Sequence, residues 1–121
     1  NLIVTVTPAR HPLLHNDEVR PGTHITAIGA DTPEKQELDS KILARADIVV
    51  ADSIEQCQSR GEIYRATKAS LLEGTKPIEL GNLILNQQFW RSSDDQLTIA
   101  DLTGVAVQDL QISKAVYKAL S

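Results

Sequence analysis

Four short runs of aliphatic and β-branched residues, at positions 2–6, 23–28, 47–51 and 97–102, set the limits on how this chain folds. Between them lie a proline-containing loop and stretches that read as helices. Successive strands joined by helical crossovers lie parallel, with right-handed connections. The first run, Leu2-Ile3-Val4-Thr5-Val6, is continuously apolar and β-branched, as in a parallel strand covered on both faces. Thr7-Pro8 stops it, because proline cannot donate to the ladder. The second run is bracketed by Gly22 and Gly29 and leads directly into Ala30-Asp31-Thr32-Pro33-Glu34-Lys35. Open α/β sheets bind ligands in the crevice outside the carboxyl ends of their strands. Asp31 therefore stands where chemistry is done. The same spacing also suits a carboxylate that opens a turn with Pro33 by accepting backbone hydrogen bonds.

The intervening stretches carry helix signals. Asp39 or Ser40 caps a short helix through about Ala46, with Ile42, Leu43 and Ala46 facing inward. Ser53-Ile54-Glu55-Gln56 has capping-box form and starts another helix. That helix pauses near Gly61 and resumes as Glu62 to Leu72, with Gly74 as its left-handed stop. Cys57 has no flanking base or positive cluster and reads as a small buried apolar side chain. Residues 80–85 read as a short helix, and Phe89-Trp90 as a loop anchor packed on the body. Thr103 caps a final helix, Gly104 to Leu120. Ala106, Leu110 and Ser113 share one face of it, and Ile112, Val116 and Leu120 the adjoining one. With no internal repeat, low-complexity tract or linker, the chain reads as one α/β unit.

Composition narrows the function classes. A chain of 121 residues suffices for one α/β domain that buries most of its surface. The net charge of -4 comes with no basic run and no aromatics interleaved with Arg or Lys, which argues against nucleic-acid binding. Apolar runs fall far short of the roughly 20 residues that span a membrane. A single Cys excludes an internal disulfide and a cysteine-based zinc site, and fits a reducing cytoplasm. His11 and His15 lie four apart, but Pro12 disrupts the helix that would bring them together. Both read as surface-loop residues, and no metal site is expected. The absence of any Met points to a processed product or an excised segment.

Each strand end carries a residue suited to a ligand: Thr5 and Thr7, then Ala30 and Asp31, then Thr103 and Gly104. Thr103-Gly104 also starts a helix, whose free N–H groups and positive dipole end favour an anionic or polar ligand. An ordinary helix cap accounts for the same pair. The segments Ile3 to Pro8, Gly22 to Leu38, Ala46 to Ser53 and Asp101 to Asp109, in that order, resemble the ornithine cyclodeaminase and mu-crystallin family. The resemblance runs essentially from end to end. It implies a Rossmann-like parallel sheet with flanking helices, the second half of a dinucleotide-binding domain. Residues 1–121 would then be a partial NAD(P)-binding domain, without the Gly-rich phosphate loop and the substrate lobe.

The resemblance also implies an activity: a segment of an NAD(P)-dependent amino-acid-processing enzyme. In such enzymes hydride leaves the amine-bearing carbon and an amine or water adds to the resulting imine. Asp31 matches the family's acid/base residue and Lys35 its lysine near the nicotinamide. Thr7, Ala30, Thr103 and Gly104 match cofactor-side positions. A low-dielectric pocket there would raise the pKa of Asp31, and Asp31, Thr7 and Thr103 are expected to share one cleft.

Three positions depart from the family pattern. Glu34 stands where Gly usually precedes the lysine. Leu102-Thr103 replaces a Ser-Val pair of the cyclodeaminases proper, which argues against ornithine as substrate. Asn86 to Trp90 lacks the Gly-rich turn before the arginine matched by Arg91. The six glycines are scattered singly, with no Gly-x-Gly-x-x-Gly, so weak or absent NAD(P) binding is expected of this chain. The alternative function is a non-catalytic ligand-binding or assembly module that keeps the fold. Either way, the strand at 2–6 presents an edge with neither charge nor proline to protect it. A homodimer or higher homo-oligomer with residues 1–7 at the interface is expected.

Overall fold

The computed structural model describes all 121 residues. Five strands, β1 (Leu2–Thr5), β2 (His24–Ala27), β3 (Ile48–Ala51), β4 (Ile78–Glu79) and β5 (Thr98–Asp101), form one sheet. The order is β1-β2-β5-β3-β4, and every pairing is parallel. Four helices accompany them: α1 (Ser40–Ala44), α2 (Glu62–Lys68), α3 (Leu80–Leu85) and α4 (Ala106–Leu120).

The period of two along each strand decides where the core sits. Ile25, Ala27, Val49, Ala51 and Ile99 point to one face, where they pack in a single buried cluster with Ile42, Leu43, Ile63 and Ala66 from α1 and α2. Asp39 caps α1 as its sequence implies, accepting from the Lys41 N–H at 3.0 Å. The opposite face is only partly covered. β1 is an edge strand, and Leu2, Val4 and Val6 are 69%, 54% and 65% exposed. A run that reads as buried on both faces is therefore buried on one.

Local differences from the sequence reading have physical causes. β4 is two residues behind Pro77, too short to leave a periodic signal. The helix expected from Ser53 is one 3-10 turn, Gln56–Gln58. Ser53 Oγ does accept the Gln56 N–H, but the Gln56 side chain reaches to Gly104 O instead of completing the box. The left-handed stop of α2 is Ser70 (φ 56), not Gly74. Two hydrogen bonds close that end, from Leu71 N–H to Ala66 O and from Ser70 N–H to Thr67 O, the Schellman pairing. Phe89 is half-buried, whereas Trp90 is half exposed and donates its indole N–H to Leu83 O. The N-cap of α4 is Val105 rather than Thr103, and α4 buries no residue on either face. No helix is long and apolar enough to cross a membrane.

The two helix surfaces should respond differently to truncation. Ile42→Ala, at a fully buried site, is expected to cost about 2–5 kcal/mol. Leu120→Ala, at 84% exposure, is expected to stay within about 0.5 kcal/mol. Chemical denaturation of both variants checks the ranking, and equal losses would contradict this assignment of core and surface.

Candidate active site at the carboxyl edge of the sheet

Because β1, β2 and β5 are neighbours, Thr7, Ala30-Asp31 and Thr103-Gly104 follow adjacent strand ends on one edge of the sheet. Asp31 is exposed there and pairs with Lys35, Nζ to Oδ1 2.6 Å. The hydrogen bond from Lys35, reinforced by its charge, holds the Asp31 carboxyl below its ordinary range. That is opposite to the upward shift expected of an enclosed site, because no apolar wall covers Asp31. Ala30 is buried. Thr7 gives both its N–H and its hydroxyl to Glu37. The buried Thr103 donates its hydroxyl to Asp52 Oδ1 at 3.1 Å, and the Gly104 N–H donates to Asp52 Oδ2 at 2.7 Å. The Gly104 amide is thus already partnered. Its backbone nonetheless stays accessible: φ is +82° and nothing lies within 4 Å of where a Cβ would stand.

The expected shared cleft is not enclosed. One cavity of about 230 Å³ lies past the end of α2, lined by Thr67 and Ser70 among others. Another of about 200 Å³ lies on the open sheet face beside His24, Phe89 and Trp90. Neither is lined by Thr7, Asp31 or Thr103.

Four further carboxylates organise this edge. Glu37, fully buried, accepts from Thr7 N–H (2.6 Å) and Thr7 Oγ1 (2.8 Å) at Oε1, and from Thr5 Oγ1 and Gly29 N–H (both 2.8 Å) at Oε2. Glu62, also fully buried, accepts the N–H groups of Glu37 at 2.6 Å and Leu38 at 3.2 Å. Asp101, at the end of β5, accepts the Ile63 N–H at 2.8 Å. Asp52 holds Thr103 and Gly104. Gly61 allows this packing: it has φ +93°, and a Cβ there would stand 2.6 Å from Asp101 Oδ2. Sequence reasoning gave these carboxylates no role. The usable signal was their setting, since Glu37, Glu62 and Asp101 each adjoin an aliphatic residue in a stretch that has to be buried.

Burial dominates their electrostatics. It pushes the Glu62 carboxyl up to about 8, aided by the charges of Asp101 and Glu37 and opposed by the two backbone N–H donors. It pushes Asp101 up to about 6, against hydrogen bonds from Ile63 and Glu62 and with the Asp52 charge adding to it. Burial likewise raises the Cys57 thiol well above its usual value, so Cys57 is an inert packing group. No cluster of three or more His, Cys, Asp or Glu side chains is arranged to hold a metal ion, and His11 and His15 are exposed.

The model of the ornithine cyclodeaminase/mu-crystallin family matches residues 1–121. The chain belongs to that family. Alanine dehydrogenase of Archaeoglobus fulgidus is 43% identical to it over 120 residues, covering 98% of this chain and 37% of that protein. A solved archaeal alanine dehydrogenase dimer with bound NAD matches with a TM-score of 0.86 and 44% identity, over 97% of this chain and 37% of that one. The iminosuccinate reductase of Paracoccus denitrificans in complex with NAD+ matches with a TM-score of 0.88 and 41% identity, over 97% of this chain and 36% of that one. The chain thus spans little more than a third of the relatives it matches, and its α/β fold is that of their corresponding third.

The raised carboxyls set a pH dependence for this edge. A folded-state pKa above the unfolded one means that the folded chain holds the proton more tightly. The resulting stability is complete below the ordinary carboxyl range and is lost as pH rises through about 6 for Asp101 and about 8 for Glu62. The thermal midpoint is therefore expected to fall between pH 5 and pH 9, and Glu62→Gln to flatten the upper part of that fall. A midpoint that rises over this interval in the parent chain would contradict the assignment.

Proposed function

We propose that residues 1–121 form the nicotinamide-facing part of an NAD(P)-dependent enzyme that oxidises an amino acid or reduces the corresponding imine. One observation carries this reading: Thr7, Asp31-Lys35 and Thr103-Gly104 follow neighbouring parallel strands at the edge where open α/β sheets bind ligands. Relatives solved with NAD or NAD+ on the same fold support it. The residues present fit the nicotinamide end of such a cofactor. Asp31 is solvent-accessible with Lys35 beside it, and the Gly104 backbone is open to close approach. They do not fit the pyrophosphate, for which a Gly-rich turn is needed and the glycines here are single.

The bound nicotinamide supplies hydride acceptance and donation. Asp31, kept ionised by Lys35, takes and returns a proton at the substrate nitrogen or at the water that adds beside it. Lys35 orients that carboxylate. Thr7, Ala30, Thr103 and Gly104 form the backing of the cofactor side, with Ala30 small enough to leave the approach clear. The substrate class is a small amino acid or its imine.

In a protein that carries this chain with its remaining lobes, Asp31→Asn is expected to lower turnover by about 10²–10⁴-fold while dinucleotide binding persists. Full activity in that variant would overturn the assignment. Calorimetry of NAD(H) with the 121-residue chain is expected to show weak or no binding, and a micromolar dissociation constant would contradict the account of the phosphate site.

A second reading, an assembly module, is favoured by the exposed apolar side chains of β1 and the unpaired outer edge of that strand. Edges without charge or proline pair with other chains, so the 121-residue chain is expected to self-associate through residues 1–7. Val4→Lys should weaken that association more than it lowers stability. Light scattering that reports a monomer at high concentration would count against it.

A further inference from the structure

We infer that Glu37 is a positioning residue for the proposed site, because its buried carboxylate fixes the loop that carries Thr7 against the loop that carries Asp31. This rests on the reading of Asp31 and Thr7 given above. A carboxylate is an acceptor only, with two oxygens and no proton to place. Here each oxygen takes two donors: Oε1 takes the N–H and hydroxyl of Thr7, and Oε2 takes the Thr5 hydroxyl and the Gly29 N–H. One side chain thus gathers the end of β1 and the end of β2.

The bond from the Gly29 N–H closes the neck of a loop running from Gly29 to Glu37. Inside the loop, the Asp31 N–H turns back to Gly29 O and Lys35 reaches Asp31. The far side of the loop is tied by the Gln36 N–H to Ala9 O, again to the chain that follows β1. Glu37 is itself held in place, because Glu62 accepts its N–H and that of Leu38. Gly29 completes the arrangement: a Cβ there would collide with Thr7 O and Glu37 Oε1, so the two loops close only around a glycine.

The chemistry makes the role specific to a carboxylate. In Glu37→Gln one oxygen becomes an NH2 group that faces two donors, so Thr7 or Gly29 loses its acceptor in a buried place. The loop neck then slackens, and the geometry that pairs Lys35 with Asp31 goes with it. Arg60 is the other charge acting on Asp31, and it stands outside this loop.

The test compares the parent chain, Glu37→Gln and Thr7→Val by NMR, without cofactor. In folded Glu37→Gln the amide protons of Thr7 and Gly29 should move upfield as their charge-assisted bonds are lost, while Ile99 and Ala100 in β5 keep their shifts. The titration midpoint of the Asp31 carboxyl should rise toward the ordinary carboxylate value. Thr7→Val removes the hydroxyl, which is one of the four donors to Glu37 and the acceptor of the Ala9 N–H, and it should raise the Asp31 midpoint by a smaller amount. It decides the matter if Glu37→Gln does not fold. An Asp31 midpoint unchanged in the folded variants, or amide shifts spread evenly over the whole sheet, would overturn the inference. These readouts involve no turnover, so an Asp31 dispensable for catalysis would sink the functional reading and leave them standing.

Discussion

Several backbone amides at the carboxyl edge of this sheet find their acceptors in side-chain carboxylates, of which Glu37, Glu62 and Asp101 are buried. Strands end there, the ladder stops, and every N–H that stays inside needs another acceptor. Glu37 takes Thr7 and Gly29, Glu62 takes Glu37 and Leu38, Asp101 takes Ile63, and Asp52 takes Ser53 and Gly104. No cation compensates the buried acids, since the one salt bridge is the exposed Asp31–Lys35 pair. Their cost is carried by charge-assisted hydrogen bonds to N–H dipoles and, for Glu62 and Asp101, by a tighter grip on the proton. The edge is therefore tied by side-chain acceptors where it meets the loops, and Asp31 and Lys35 lie beyond those ties.

That division bears on function. Thr7, Thr103 and Gly104 have their polar groups already engaged within the protein, so in the proposed site they act as shape and backing more than as ligand donors. Asp31 and Lys35 project beyond the anchored necks with each other as partner. In the proposed site they are the groups that would exchange a partner within the protein for a substrate. The same partition accounts for the direction of the Asp31 shift, since a carboxylate in solvent beside a lysine ionises more readily than one under an apolar wall.

Much of the fold was legible because it depends on short-range pattern. The four main strands, the Asp39 cap, the helix at 80–85 and the parallel order follow from β-branched runs and crossover spacing. What was hidden depended on the third dimension. β1 reads as doubly buried, yet helices cover one face only, and its alternate residues are exposed. β4 has two residues and no periodicity. α4 has apolar positions on two faces that nothing in the chain covers, so amphipathic spacing overstated its burial. That Asp31, Thr7 and Thr103 follow strand ends was legible. Glu37 and Glu62 were not read, because their aliphatic neighbours mark burial but not which backbone donors each acid would meet.

Buried carboxylates hold the carboxyl edge in place in the unliganded chain. Native-state hydrogen exchange of the unliganded 121-residue chain tests it directly. The amides of Thr7, Gly29, Leu38 and Ile63 lie outside the strand ladders and donate to side chains, yet they should exchange within about tenfold of the β2 and β5 ladder amides. Exchange of these four amides as fast as that of exposed loop residues such as Glu34 would contradict the account.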